Sequence, residues 1–261
     1  MEIIGRISKG SKMDQVYIPK NREGFHSGQY VLITPLEGKK GGKISRRKPI
    51  FYNVKDIEPI KLRIIEEIFN LVDGEIESEN VIITGSFLEH GFRFNDIDIL
   101  IISEEKVNRD SLKEKIEKEI GIKTHLLFLT REELIHGLSY EPIYNIMLSK
   151  CVSSHRIIFN VKRKINYKTL DLGLLKSKTL IDNFDILNGS EKYYLTFNMV
   201  SIYLFVEGKR LSKEGVNKEI EKIFDIEVGE LKNNMIDKKK FLVRFRGYYD
   251  KTFNLIMESK K

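Results

Sequence analysis

Two strand-sized apolar runs joined by a short polar segment constrain the fold of this chain more than any other part of its sequence. The first run covers residues 81–84 and ends at Gly85 and Ser86, and the second covers residues 96–102. A glycine at the end of a buried strand lets the backbone approach a ligand closely. A short helix opening at Ser86 would point its first amide groups outward, where they can hold a phosphate. The pattern predicts a phosphate-binding turn between two buried strands.

The second run begins with two aspartates, Asp96 and Asp98, separated by one apolar residue. Residues two apart on a strand project from the same face, so we expect both carboxylates to lie together at the strand edge. Two adjacent carboxylates repel each other unless a hard cation lies between them. Mg²⁺, which takes oxygen ligands from carboxylates and substrate phosphates, is the expected cation. A phosphate turn followed by such a pair predicts a nucleoside triphosphate site.

This segment resembles the signature of the nucleotidyltransferase superfamily related to DNA polymerase β, which is hydrophobic-Gly-Ser, a spacer and then Asp-hydrophobic-Asp. Within it, the segment is most similar to the minimal nucleotidyltransferases and to the N-terminal domain of aminoglycoside nucleotidyltransferases. The resemblance implies that Gly85 and Ser86 hold the triphosphate and that Asp96 and Asp98 bind Mg²⁺. It also implies an α+β fold with a mixed sheet and flanking helices, and an NTP substrate for which ATP is the first candidate.

Active members of that superfamily usually carry a third carboxylate on a later strand, where it completes the metal site or acts as general base. The corresponding strand here, expected at residues 122–129, contains no Asp or Glu, and His125 stands at the polar position. A neutral imidazole could accept a proton near pH 7. Equally, His125 could be a histidine at the core edge of an enzyme that has lost turnover. Three glutamates could supply the missing oxygen, although their spacing indicates solvated helix faces: Glu89, Glu132 and Glu133.

The residues around this segment alternate between helical and strand patterns. The pairs Ser111–Glu114 and Thr130–Glu133 each have the spacing of a capping box that opens a helix. A last strand is expected at residues 157–159. Such alternation predicts one compact α+β unit, which we place at residues 55–162 as the nucleotidyltransferase domain. Its first helix follows Pro59 and carries an apolar face formed by Leu62, Ile65, Ile68, Phe69 and Val72.

The N-terminal part of the chain has short strand patterns at residues 16–18 and 30–33, followed by a basic, glycine-rich linker that ends at Pro49. Residues 15–20 and 28–33 resemble the swapped-hairpin β-domain of AbrB-like transcription factors. The resemblance implies a homodimer formed through a small β-domain, which we place at residues 1–48, and nucleic-acid binding through its basic loops. The alternative is a small β-extension that packs on the catalytic core.

Residues 168–261 have helical patterns at 170–187, 190–207, 212–224 and 238–257, which predict a helical C-terminal bundle. The breaks are expected at Gly189, Gly208 and Gly229. Residues 192–216 resemble the helical bundles of HEPN proteins and of aminoglycoside nucleotidyltransferases. HEPN ribonucleases need a histidine on this bundle, and none follows His155, so that nuclease activity is disfavoured. Basic residues at 238–240, 244 and 246 are expected to form a solvated face, with phosphate or nucleic-acid contact as the alternative.

The net charge of +7 is unevenly distributed along the chain: residues 1–50 carry +7, residues 51–150 carry −8 and residues 151–261 carry +8. The acidic middle contains Asp96 and Asp98, which need a cation before a polyphosphate can bind, while the two basic flanks could hold nucleic acid. No apolar run approaches the roughly 18–20 residues of a membrane span, and the N-terminal residues lack the apolar core of a secretory signal. Since Cys151 is the only cysteine, we expect a cytoplasmic protein without disulfides or a membrane partner.

Two functions fit these patterns. The first is a Mg²⁺-dependent nucleotidyltransferase that moves a nucleoside monophosphate from an NTP to an acceptor hydroxyl on RNA, protein or a small molecule. Its candidate catalytic residues are Asp96, Asp98 and His125. The second is a catalytically degenerate regulator that binds a nucleotide and uses its N-terminal module on nucleic acid.

Overall fold

The computed structural model describes residues 7–18, 24, 26, 28–31, 33, 48–105, 107–159 and 161–258. The chain divides into two units, Met1–Lys43 and Ile44–Lys261. In the first unit, β1 (Ile7–Ser8) pairs antiparallel with β2 (Gln15–Val16). A small antiparallel β-element is therefore confirmed, but it differs from the expected hairpin. Of the strand expected at residues 30–33, the three described residues lie in no strand, so the pairing on which the AbrB-like resemblance depends is not found in this part of the structure.

The second unit contains a five-stranded mixed sheet with the order β3-β7-β4-β5-β6. β5 and β6 are parallel, and the other neighbours are antiparallel. Every residue of β4 is buried, because this strand pairs on both sides and is covered on both faces. The predicted α+β class with a mixed sheet is confirmed. The strands are β3 (Ile50–Tyr52), β4 (Asn80–Thr84), β5 (Ile97–Ile102), β6 (Thr124–Leu129) and β7 (Cys151–Ser153).

Four helices cover the two faces of this sheet. They are α1 (Pro59–Glu75), α2 (Arg109–Ile120), α3 (Arg131–Tyr140) and α4 (Pro142–Ser149). Because successive side chains on a strand point to opposite faces, β5 contributes to two cores. Ile97 and Ile99 pack in a core with residues of α1 and α2, whereas Leu100 and Ile102 pack in a core with residues of α3.

The predicted helical C-terminal region is present as five helices among the described residues: α5 (Tyr167–Asp182), α6 (Gly189–Val206), α7 (Lys213–Phe224), α8 (Val228–Lys232) and α9 (Lys238–Glu258). The central helix α6 is buried over its whole circumference in its last two turns, since residues 199–205 are all buried. The predicted breaks at Gly189 and Gly229 are wrong. Gly189 is the first residue of α6, because Asn188 and Glu191 form a capping box there, and Gly229 lies inside α8. Gly208 follows the end of α6 with a φ of +69°.

Local details of the sheet domain depart from the sequence pattern in two places. The side chain of Asn108 caps α2 by accepting a hydrogen bond from the backbone N–H of Ser111, so Ser111 is not the cap. The strand expected at residues 157–159 is absent there, because the backbone N–H of Ile157 donates to the hydroxyl of Tyr52 and the sheet instead takes up β7. The capping box of Thr130 and Glu133 is confirmed. Among the described helices, none is long and apolar enough to cross a bilayer.

Candidate functional site

Three polar residues lie side by side across three adjacent strands, at one end of those strands. In the strand register, Thr84 of β4 is opposite Asp98 of β5, and Asp98 is opposite His125 of β6. Oδ1 of Asp98 lies 3.3 Å from Nδ1 of His125. The side chain of His125 is 74% exposed and that of Asp98 is 35% exposed. Thr84 is buried, so Asp98 and His125 are the members of the row that solvent can reach.

Gly85 follows Thr84 and brings the backbone against Asp98. Its φ of 84° and ψ of −160° belong to a region that essentially only glycine adopts. A Cβ at this position would lie 2.0 Å from Oδ2 of Asp98. Ser86 then begins the expected short helix, which is a single 3-10 turn at Ser86–Leu88. The turn and the second aspartate of the motif are in direct contact.

Asp96 immediately precedes β5, which begins one residue later than expected, and its side chain is exposed. The structure thus brings Gly85, Asp98 and His125 together. Ser86 follows Gly85 directly, and Asp96 directly precedes the strand that contains Asp98. Within the described ranges, no group of three His, Cys, Asp or Glu side chains is arranged to hold a metal ion.

Two lysines meet the segment that follows the turn. Glu89 accepts hydrogen bonds from Lys150 at 2.8 Å and from Lys213 of α7 at 3.3 Å. The carbonyl oxygen of Lys150 lies 3.4 Å from the hydroxyl of Thr84, so this lysine is at the same end of β4 as Gly85. Burial raises the pKa of Glu89, but the two lysines outweigh it and the net pKa is lowered. Two positive charges, one from the residue between α4 and β7 and one from α7, therefore lie beside the segment that follows the turn.

Two residues at the start of α1, Glu58 and Lys61, bind the backbone of the segment that follows the turn. Lys61 is completely buried, and its Nζ donates to the carbonyl oxygens of Glu89 at 2.5 Å and Gly91 at 2.6 Å. Glu58 lies 3.0 Å from the same ammonium group and accepts a hydrogen bond from the backbone N–H of Gly91 at 2.6 Å. Burial raises the pKa of Glu58, but these hydrogen bonds and the charge of Lys61 outweigh it and lower the pKa to about 2.

The sequence motif does not identify these four residues, Glu58, Lys61, Lys150 and Lys213. One signal for Lys61 exists: it precedes Ile65 by four residues and Ile68 by seven, which puts a lysine on the apolar face of α1. Leu62, expected on that face, is only half-buried. For the two other lysines the chain offers no local signal, because their partner Glu89 is distant in sequence.

The remaining candidates have other partners or positions. Glu133 binds the backbone N–H of Thr130 at 2.8 Å as part of the cap of α3, and Glu132 is exposed. On α9, Lys238 pairs with Asp185 at 2.5 Å and Arg244 with Asp225 at 3.5 Å. Part of the basic stripe on this helix is thus balanced by acids of the same bundle.

No protein-family model matches the chain, and no curated protein matches it. Among solved structures, it is similar to the spectinomycin adenyltransferase AAD(9) from Enterococcus faecialis, whose structure contains ATP and spectinomycin. The two are 16% identical and superpose with a TM-score of 0.37, over 77% of this chain and 99% of that one.

Proposed function

We propose that this protein is a nucleotidyltransferase that moves a nucleoside monophosphate from an NTP, with ATP favoured, to an acceptor hydroxyl. The observation that carries the proposal is the contact between Gly85 and Asp98. It joins a Gly-Ser turn to a carboxylate of the Asp-x-Asp pair at an accessible sheet edge. A purely structural Gly-Ser turn has no need of a half-exposed carboxylate against its backbone.

Asp96 and Asp98 are the residues that would hold a metal ion. Mg²⁺ is usually bound through one or two carboxylates, with its other positions filled by substrate phosphates and water. The donor set at this edge, two aspartates two residues apart, therefore fits Mg²⁺ that is bound together with a nucleotide. When bound there, Mg²⁺ would neutralise negative charge on the triphosphate.

The backbone of Gly85 and Ser86 would hold the triphosphate, as the motif implies. Lys150 and Lys213 add to this role because both ammonium groups are within hydrogen-bonding distance of Glu89, three residues after Ser86. The carboxylate of Glu89 balances one of these two positive charges. A triphosphate carries more negative charge than one carboxylate and would compete with Glu89 for both lysines.

The transfer itself needs a base and an open approach for the acceptor. The acceptor oxygen attacks the α-phosphorus, a new phosphorus–oxygen bond forms, and the bond to the bridging oxygen of the β-phosphate breaks, which releases pyrophosphate. His125 would accept the hydroxyl proton, since its imidazole is exposed and lies beside Asp98. The carboxylate of Asp98, 3.3 Å from Nδ1, would stabilise the imidazolium that forms.

One observation favours a second candidate, the catalytically degenerate regulator. His125 stands where active relatives usually have a carboxylate, so the site offers one oxygen ligand fewer for a metal. Such a protein would bind a nucleotide without turnover and use its basic flanks on nucleic acid, with the N-terminal module as a homodimer. The basic residues of the linker up to residue 47 lie outside the described residues.

Transfer of label from α-³²P-labelled ATP, CTP, GTP and UTP tests the proposal. Each nucleotide is incubated with the full chain, Mg²⁺ or EDTA, and RNA, protein or small-molecule hydroxyl acceptors. We expect Mg²⁺-dependent label transfer that is lost in Asp96→Asn and in Asp98→Asn and kept in Asp182→Asn, an exposed aspartate on α5. Nucleotide binding without transfer to any acceptor would favour the regulator, and equal binding by all variants would refute the site.

A further inference from the structure

We propose that Lys61 is a positioning residue that sets the conformation of residues 86–95, the segment that joins the Gly-Ser turn to the aspartate pair. This inference rests on the proposed function, because the segment matters for activity only if its two ends bind the nucleotide and its metal. Lys61 touches neither end directly. It acts through the backbone of the residues between them.

The polar partners of Lys61 all belong to the protein itself. Its Nζ donates hydrogen bonds to the carbonyl oxygens of Glu89 and Gly91 and forms an ion pair with the carboxylate of Glu58 at 3.0 Å. The side chain is 0% exposed, so a catalytic or binding role through Nζ is excluded by the packing.

Aromatic rings of the same segment complete the enclosure. The ammonium group lies 5.7 Å from the ring centre of Phe87, 5.3 Å from that of Phe92 and 5.6 Å from that of Phe94. Phe87 and Phe94 also meet edge to face at 5.0 Å. Rings at these distances attract a cation, so residues near both ends of the segment are drawn toward one point on α1.

The arrangement fixes backbone that has little regular structure of its own. Between the end of the 3-10 turn at Leu88 and the start of β5 at Ile97, the described residues form no helix or strand. Glu58 and Lys61 bind the N–H and the C=O of the same residue, Gly91, and so define its position and its orientation. An apolar residue in place of Lys61 would leave two carbonyl oxygens without their donor and the carboxylate of Glu58 without its cation, and such groups are costly to bury.

Lys192 provides a matched control. It is also a buried lysine, only 3% exposed, and it lies 3.9 Å above the ring of Phe184 and binds Asn234, both in the helical region. Lys61→Met and Lys192→Met therefore each remove a buried ammonium group. Both are expected to lower the unfolding temperature, but only Lys61→Met is expected to change residues 86–95.

Hydrogen–deuterium exchange followed by mass spectrometry, on the full chain, measures this difference directly. In Lys61→Met we expect the amides of residues 86–95 to exchange about 10-fold faster or more, while the amides of β5 keep the wild-type rate. In Lys192→Met the amides of residues 86–95 should also keep the wild-type rate. The affinity for Mg²⁺–ATP, measured by equilibrium dialysis with labelled ATP, should fall about 10-fold in Lys61→Met only. If Lys61→Met does not fold, the double variant Glu58→Gln/Lys61→Met, which leaves no buried charge alone, takes its place in both measurements.

The outcomes separate this inference from the proposed function. Unchanged exchange in residues 86–95 overturns the inference, whatever the nucleotide does. Faster exchange with an unchanged affinity overturns it as well, because the conformation of the segment would then not matter to the site. If the wild-type protein binds no nucleotide, the proposed function fails, and faster exchange in Lys61→Met alone still supports the role of Lys61 in fixing the segment.

Discussion

The carboxylate of Asp98 packs directly against the backbone of Gly85: a Cβ added to Gly85 would lie 2.0 Å from Oδ2 and 3.0 Å from Cγ. In Gly85→Ala the aspartate must turn away, and the backbone must also bear a positive φ that costs on the order of 1–3 kcal/mol. We expect a loss of stability of that size in urea unfolding and loss of Mg²⁺-dependent ATP binding in equilibrium dialysis.

Gly74→Ala is the control for this prediction. Gly74 lies near the end of α1, and a Cβ there would meet nothing within 4 Å. Alanine is favoured over glycine in a helix by roughly 0.5–1 kcal/mol, so this variant should be equally or more stable and should bind ATP normally. Normal ATP binding by Gly85→Ala would mean that the contact with Asp98 has no part in the site.

Much of the sheet domain is predictable from sequence because its signals are local. The buried strand before Gly85, the strand after Asp96 and the capping box at Thr130 each depend on residues a few positions apart. The contact between Gly85 and Asp98 goes beyond these local signals, because it needs β4 and β5 to be neighbours that pair in register.

The rest depends on contacts between distant residues. Residues 157–159 have the composition of a strand, yet β7 forms at Cys151–Ser153, because that segment meets both β3 and β4. Lys61 has the helical spacing of the apolar face of α1, but its burial is not predicted from that pattern, because a charged residue is ordinarily expected to be solvated. Its burial is possible only because Glu58 and two carbonyl groups of the segment after the turn surround it.

Acid should weaken the fold through Glu58. Its pKa in the folded protein is about 2, below the ordinary 4.5, so the folded state binds fewer protons than the unfolded state between these values. The stabilisation is complete above about pH 4.5 and is lost progressively as the pH falls toward about 2. Urea unfolding at several pH values in this window should show a smaller decline of stability in Glu58→Gln, and the exposed control Glu132→Gln should decline as the wild type does. The same decline in all three proteins would contradict the role of Glu58.

Lys213 and Glu89 should change nucleotide affinity in opposite directions. Lys213→Met removes one of the two charges beside the turn and should weaken ATP binding by about 3- to 10-fold, with a smaller dependence on salt. Glu89→Gln removes the carboxylate that competes with the triphosphate and should strengthen binding. Equilibrium dialysis at two salt concentrations measures both effects. Lys218→Met, an exposed lysine on the same helix, is the control and should bind as the wild type does. Weaker binding in Glu89→Gln would show that Glu89 arranges the lysines instead of competing for them.

His125 decides between the proposed enzyme and the proposed regulator, because it stands opposite Asp98 in the sheet. If His125 is the base, His125→Gln should lower the rate constant of label transfer by about 100-fold or more while the KM for ATP changes little. His136→Gln, which alters an exposed histidine of α3, should have no effect. If the wild-type protein is a regulator, neither it nor His125→Gln will transfer label. In that case His125→Glu, which places a carboxylate beside Asp98, is the variant expected to gain Mg²⁺-dependent transfer. Transfer by the wild type that survives unchanged in His125→Gln would eliminate His125 as the base and require another group to take the proton.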